Sequence, residues 1–237
     1  MNIKKLYFWI GCLFLTSVFY SCEERSGADS TCPTLPASFS PSETQALFLE
    51  LAYDQEFGQS TDKLRKWADT INIFIEGNIS RRGSMEIDSV LKELNELSTA
   101  IPIIPVTIKS KANLILFLGS MEDYVTSIEP SVAGIAEGNS GFAVISWNNK
   151  NEIIKASACV DIVNFAGLIF FKHVLREELA QTLGIINDSK LDEKSVFFQL
   201  PNLATNYSES DKEIIAYMLG DDLSAGMCKT EALNIVN

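Results

Sequence analysis

At 237 residues the chain can build one sizeable core, most simply a single domain. Its 19 Lys and Arg against 31 Asp and Glu leave a formal net charge of -12, which excludes nucleic acid as the expected partner because phosphate binding needs clustered cations. One histidine, His173, and the absence of any Cys-x-x-Cys argue against a zinc site of the usual imidazole and thiolate kind.

In chain order the first signal is an address. Lys4 and Lys5 precede an apolar stretch from Leu6 to Tyr20, broken only by Gly11, Thr16 and Ser17. That stretch is shorter than the roughly 20 residues a bilayer span requires, and its flanks are those of a secretory leader. The junction Ser21-Cys22 resembles a lipobox, so residues 1–21 are predicted to be removed and Cys22 to carry a lipid. The expected location is the cell envelope, anchored to the outer membrane, with the periplasmic and the outward face both open. The pair Glu23-Glu24 resembles the acidic export tag of some surface-exposed lipoproteins. No basic amphipathic helix is present, so the lipid is the expected membrane contact. Residues 22–40 are rich in Ser, Thr, Pro and acidic side chains and lack hydrophobic periodicity, which predicts a flexible tether ahead of a domain over 41–237.

Cysteine usage adds one expectation. With Cys12 lost in the leader and Cys22 lipidated, Cys32, Cys159 and Cys228 remain. An odd count in an oxidising compartment predicts one pair and one left-over thiol. Cys159 with Cys228 is the preferred pair, because Cys32 lies in the tether.

The domain opens with a helix whose box is read as Ser40 at the N-cap, Pro41 at N1 and Glu43 at N3. Trp67 leads into an alternating strand over 70–75, and a helix follows over 85–97 with Ile87, Val90, Leu91, Leu94 and Leu97 on one face. Strands are predicted at 104–108 and 113–118, a short helix at 120–125, and a glycine-rich loop at 134–141. Two further strands, 142–147 and 152–161, flank the hairpin turn Asn148 to Asn151. A long helix runs from about Phe165 to Leu183 and stops at Gly184, and a last helix starts at Ser210 with Glu213 completing its box. This order defines an α+β domain with helices set against a mixed twisted sheet, among them one long helix and a C-terminal helical part.

The long helix and its exit carry the chemistry. Glu177-Glu178-Leu179-Ala180-Gln181-Thr182-Leu183-Gly184-Ile185-Ile186-Asn187-Asp188 matches the spacing of HExxHxxGxxH/D. In the metallo form that spacing puts two ligands four apart on one helix face, beside a glutamate that acts as base on metal-bound water. Here Glu178 holds the glutamate's place and Gly184 the glycine's, while Glu177, Gln181 and Asn187 stand where the ligands would be. The segment resembles the metzincins, and Ser195-Val196-Phe197-Phe198 falls where those enzymes place the turn beneath the metal, with Phe197 in the methionine's place. The closer resemblance is to the bacterial family called domain of unknown function 2927, through E-E-x-x-Q-x-x-G-x-x-N-D, the Ser-x-Phe segment at Ser195 and the final Gly226-Met227. It covers roughly Trp67 to Leu233 and implies a zincin-like fold.

Without imidazole or thiolate ligands, no metal is expected as a cofactor. Were an ion to bind, oxygen donors such as Glu177, Gln181 and Asn187, with Asp188 and Glu178 nearby, would favour Ca²⁺ or Mg²⁺, weakly. His173, Glu177 and Gln181 recur at i, i+4 and i+8. This permits a shifted site or an acid/base pair, but a half-buried histidine hydrogen-bonded to Glu177 explains it as well. The trio Glu177, Gln181 and Asn187 is read equally well as a hydrogen-bonded structural network. Two functional readings follow. The first is a non-catalytic zincin-like module, a pseudopeptidase, taking a peptide beside the edge strand at 142–147 by strand addition. The second is an atypical peptidase or other hydrolase with Glu178 as general base.

Overall fold

A computed structural model describes residues 32–54, 61–164, 167–199 and 202–236. Cys22 and the leader therefore lie outside the described residues.

The elements are α1 (Glu43–Tyr53), β1 (Lys66–Trp67), β2 (Ile71–Gly77), α2 (Arg81–Leu97), β3 (Ile103–Pro105), β4 (Leu114–Gly119), α3 (Met121–Ser127), β5 (Gly141–Trp147), β6 (Glu152–Asp161), α4 (Leu168–Gln181), α5 (Glu209–Leu219) and α6 (Lys229–Ala232). Together they make a mixed α+β fold. The strands form a six-stranded sheet in which β3, β2, β4 and β6 lie side by side in parallel. Ile153 of β6 has Trp147 on one flank and Trp67 on the other. So β1 continues the β4 side, and β5 stands alone on the opposite flank, antiparallel to β6.

Side-chain parity divides the core. Leu114, Leu116 and Leu118 align with Ala156, Ala158 and Val160 on the face that packs in the main core with α1, α2, α4 and α5. Phe117, Cys159 and Phe142 align on the other face, where Met121 and Tyr124 of α3 cover them in a second cluster. Both cores lie within the compact unit Cys32–Asn237, which thus has what it needs to fold by itself.

That parity corrects the expected disulfide. Cys159 is a free thiol buried in the middle of β6, and Cys32 pairs with Cys228 across a sequence separation of 196. Burial pushes the Cys159 thiol well up, with the Glu178 and Asp161 carboxylates adding to it. A strand-interior side chain covered by α3 cannot reach the periphery, whereas Cys228 heads α6 and bridges Lys63 there. The low apolar content of residues 32–40 says nothing about attachment when one covalent bond replaces burial.

Two helix starts shift by two residues each. The α1 N-cap is Ser42 with Gln45 at N3, and the α5 N-cap is Ser208 with Asp211 at N3. The α2 helix begins at Arg81 behind an N-cap Ser80, earlier than the apolar stripe alone suggests. β3 is shorter than expected, Ile103–Pro105, with Val106 N still donating to Ile73 O at 2.8 Å just beyond it. The hairpin between β5 and β6 turns as expected, with Asn148 Oδ1 accepting from Lys150 and Glu152 N–H and Asn151 at φ 63°.

Candidate functional site

The α4 helix packs its face of Val174, Leu175, Leu179 and Ala180 into the main core. Arg176 locks it laterally to α2 through Glu86 at 2.7 Å, with Lys172 on the same carboxylate at 2.8 Å. Burial alone would raise the Glu86 carboxyl, but hydrogen bonds from Lys172 and Arg176 outweigh it and hold the group below its ordinary value. At its exit the helix is held by Trp67 Nε1, which donates to Thr182 O at 2.8 Å. Gly184 then turns at φ 105°, and a Cβ there would meet Arg65 O at 2.3 Å, so both the conformation and the close approach require glycine.

Between this helix and β5 lies a cleft of about 390 Å³. Gly141 to Ile145 and Trp147 form one wall, Glu177, Glu178 and Gln181 line it from α4, and Ile186, Asp188 and Arg65 are also on its lining. The ladder fixes how β5 faces the opening. Asp161 N donates to Ser140 O, and the hydrogen-bonded positions of an antiparallel pair alternate. Phe142, Val144 and Ser146 therefore turn their backbone groups to β6, and Gly141, Ala143 and Ile145 turn theirs away from it.

Glu178 is 5% exposed and lies beneath the start of β5. A Cβ on Gly141 would stand 2.2 Å from its Oε1 and 2.5 Å from Val174 Cγ1, so the strand passes over the carboxylate only because residue 141 is glycine. Glu177 Oε2 lies 3.6 Å from His173 Nε2. The imidazole's hydrogen bond runs elsewhere, from Nδ1 to Ala204 O at 3.0 Å, which corrects the expected bond to Glu177. Burial pushes the His173 imidazole below its ordinary value, more than the Ala204 bond raises it.

Gln181 faces the cleft at 8% exposure, and no hydrogen bond reaches its carboxamide among the described residues. Asn187 is turned aside, donating Nδ2 to Asp188 O at 2.8 Å, and Asp188 lines the cleft in its stead. The structure thus brings Glu177, Glu178, Gln181 and Asp188 together and leaves Asn187 and His173 out. A zinc ion does not fit this set, which offers carboxylates and one carboxamide in place of imidazole or thiolate. Among the described residues no group of three or more His, Cys, Asp or Glu is placed to hold a metal ion.

Below the cleft, Ser195 and Phe197 belong to a pinned turn. Ser195 Oγ donates to Asp211 Oδ1 at 2.6 Å, and Val196 N and Ser208 N donate to Oδ2 at 3.0 and 2.9 Å. Phe197 is fully buried, its N–H on Ser195 Oγ at 2.9 Å. Burial raises the Asp211 carboxyl above its ordinary value despite these hydrogen bonds.

Residues that the sequence did not single out include Arg65, whose guanidinium lies 3.7 Å over the Trp147 ring at one end of the cleft. Burial lowers its pKa. Gly141 and Asp211 were also missed. For Asp211 the one readable signal is the S-x-x-D spacing from Ser208, which competes with the Ser210 box read above and announces a cap, not the turn that Asp211 holds.

Fold and site together define a mixed α+β domain with a cleft between an antiparallel edge strand and a long helix. The chain belongs to the family described as "Protein of unknown function (DUF2927)", whose model matches residues 41–237. No curated protein matches it. Among solved structures it is similar to "Structure of myroilysin", at 10% identity and a TM-score of 0.44, over 67% of this chain and 97% of that one.

Proposed function

We propose that the chain is a cell-envelope lipoprotein, anchored through Cys22 to the outer membrane, whose zincin-like domain binds a peptide in extended form and does not cleave it. The observation that carries this reading is the cleft. It sets the outward backbone edge of β5 opposite Glu177 and Gln181, which occupy the places of ligand histidines in the motif. A sheet edge with an adjoining side-chain pocket is the arrangement by which proteins add a peptide as an extra strand. The donors facing it lack zinc chemistry, and Glu178, although on the cleft wall, is largely covered by Gly141.

The test is to incubate residues 32–237 with a random decapeptide library and follow bound and free peptides by mass spectrometry. Intact peptides enriched on the protein are expected. Cleavage that disappears in Glu178→Gln would replace this reading with that of an atypical hydrolase.

A further inference from the structure

Where α2 and α4 begin, their first turns enclose a shallow groove of about 800 Å³ lined by Arg81, Arg82, Met85, Glu86, Leu168 and Lys172. Its charge runs against that of the chain, which holds 19 Lys and Arg to 31 Asp and Glu. Glu86, the carboxylate of the lining, is taken by Lys172 and Arg176 at 2.8 and 2.7 Å. Arg81 and Arg82 are exposed and form no ion pair among the described residues. They occupy the first turn of α2, which holds no acidic residue, so both cations sit at the positive end of the helix dipole and cost stability there.

Apolar side chains accompany the cations. Met85 follows the arginines by three and four residues on α2, and Leu168 stands four before Lys172 on α4, so each helix sets a cation beside an apolar group. Met85 is 64% exposed and Ile169, next to Leu168, 58%. Free cations beside protruding apolar groups suit an anionic bilayer, whose headgroup phosphates meet the first and whose acyl boundary takes the second. At physiological salt, charge is screened beyond roughly 8 Å, so acids on other faces do not cancel the local attraction. The chain also has the reach. Cys32 is bonded to Cys228, which bridges Lys63, two residues from the Arg65 backbone that Gly184 approaches at the exit of α4. The groove lies at the other end of that 14-residue helix, which is about 21 Å long. The chain from Cys22 to Cys32 can span at most about 35 Å.

We infer that this groove is a membrane-contact surface for anionic phospholipid, with Arg81 and Arg82 on headgroup phosphates and Met85 and Ile169 in the acyl boundary. Its presentation to a bilayer rests on the reading of Cys22 as a lipid anchor, to which it adds a contact made by the domain itself. No local pattern announces it, because its halves on α2 and α4 are distant in the chain.

The experiment uses residues 32–237, which form one unit with its own cores and carry no anchor. They are sedimented with vesicles of phosphatidylcholine, alone or with about 30% phosphatidylglycerol, in about 0.15 M NaCl. Wild type is expected to bind the anionic vesicles at least about tenfold more tightly than the neutral ones. Arg81→Gln with Arg82→Gln is expected to lose at least about tenfold in affinity, with a urea midpoint at or above that of wild type. Met85→Ser with Ile169→Ser should weaken binding at least about threefold.

Equal binding to both vesicles, unchanged binding in the arginine variant, or no sedimentation of wild type by about 5 mM anionic lipid would overturn the inference. A lowered midpoint in the arginine variant would make the pair structural, and unchanged binding in the Met85 and Ile169 variant would overturn the apolar contact. The anchor is tested apart, by labelled palmitate incorporated in bacteria into the full chain and not into Cys22→Ser. Incorporation without vesicle binding overturns this surface alone, whereas vesicle binding without incorporation overturns the anchor and leaves the surface standing.

Discussion

Replacing Cys32 by Ser opens the covalent loop that Cys32 and Cys228 close across 196 residues. A cross-link restricts the unfolded chain more as its loop lengthens, and the chain-entropy relation gives about 5 kcal/mol for a loop of this size. With a urea slope of about 2 kcal/mol/M, the unfolding midpoint should fall by roughly 2.5 M at unchanged slope. The assay is urea unfolding of residues 32–237 by far-ultraviolet circular dichroism, with wild type, Cys32→Ser and Cys159→Ala compared under oxidising conditions. Denatured wild type should show one reactive thiol, that of Cys159, since the other two cysteines of this unit are paired. A midpoint loss in Cys159→Ala matched by loss of the cross-link, with none in Cys32→Ser, would refute the reasoning and restore the Cys159–Cys228 pair.

Three other perturbations follow from the packing. Asp211→Ala leaves Ser195 Oγ, Val196 N and Ser208 N without their acceptor, and should cost about 3–5 kcal/mol in chemical unfolding; a loss below about 1 kcal/mol would show that the turn holds without it. Gly141→Ala places a Cβ at 2.2 Å from Glu178 Oε1 and should destabilise by about 1–3 kcal/mol, read as a lower thermal midpoint, unless β5 lifts off α4 and the cleft widens. Lys66 is buried with Nζ on Gly220 O at 2.8 Å, and burial lowers its pKa to about 8. Between there and its ordinary value of 10.5 the unfolded chain holds more protons than the folded one, so this group makes stability rise with pH. The unfolding free energy of wild type minus that of Lys66→Met should therefore increase by up to roughly 3 kcal/mol from pH 8 to 10.5. A flat difference would mean that Lys66 is charged and solvated throughout.

How far the sequence discloses this molecule depends on the range of the interaction. The apolar stripes of α2 and α4, the alternation of β2 and the hairpin at Asn148 are legible because local periodicity encodes them. The cap registers are not, since Ser40-x-x-Glu43 and Ser42-x-x-Gln45 satisfy the same pattern, as do Ser208-x-x-Asp211 and Ser210-x-x-Glu213. Distant partners accompany the register adopted. Gln45 Nε2 also donates to Leu233 O and Val236 O, and Asp211 also accepts from Ser195 and Val196. Glu177, Glu178 and Gln181 lie in the last turns of α4 and Gly184 just beyond it, as helical spacing in the motif implies. The motif could not tell that Asp188, and not Asn187, turns into the cleft, because that choice belongs to the path of the chain after Gly184. Gly141 and Arg65 owe their places to Glu178 and Trp147, contacts that no local pattern announces.

The most direct test of the cleft as a strand-addition site is the backbone amide spectrum of isotope-labelled residues 32–237 during titration with a decapeptide recovered from the library. Strand addition on β5 predicts an alternating response, in which the amides of Gly141, Ala143 and Ile145 shift strongly and gain protection from solvent exchange. Those of Phe142 and Val144, already committed to β6, should change little. Shifts that spare these odd-numbered positions, or that fall on a different face of the domain, would contradict the proposed mode of binding.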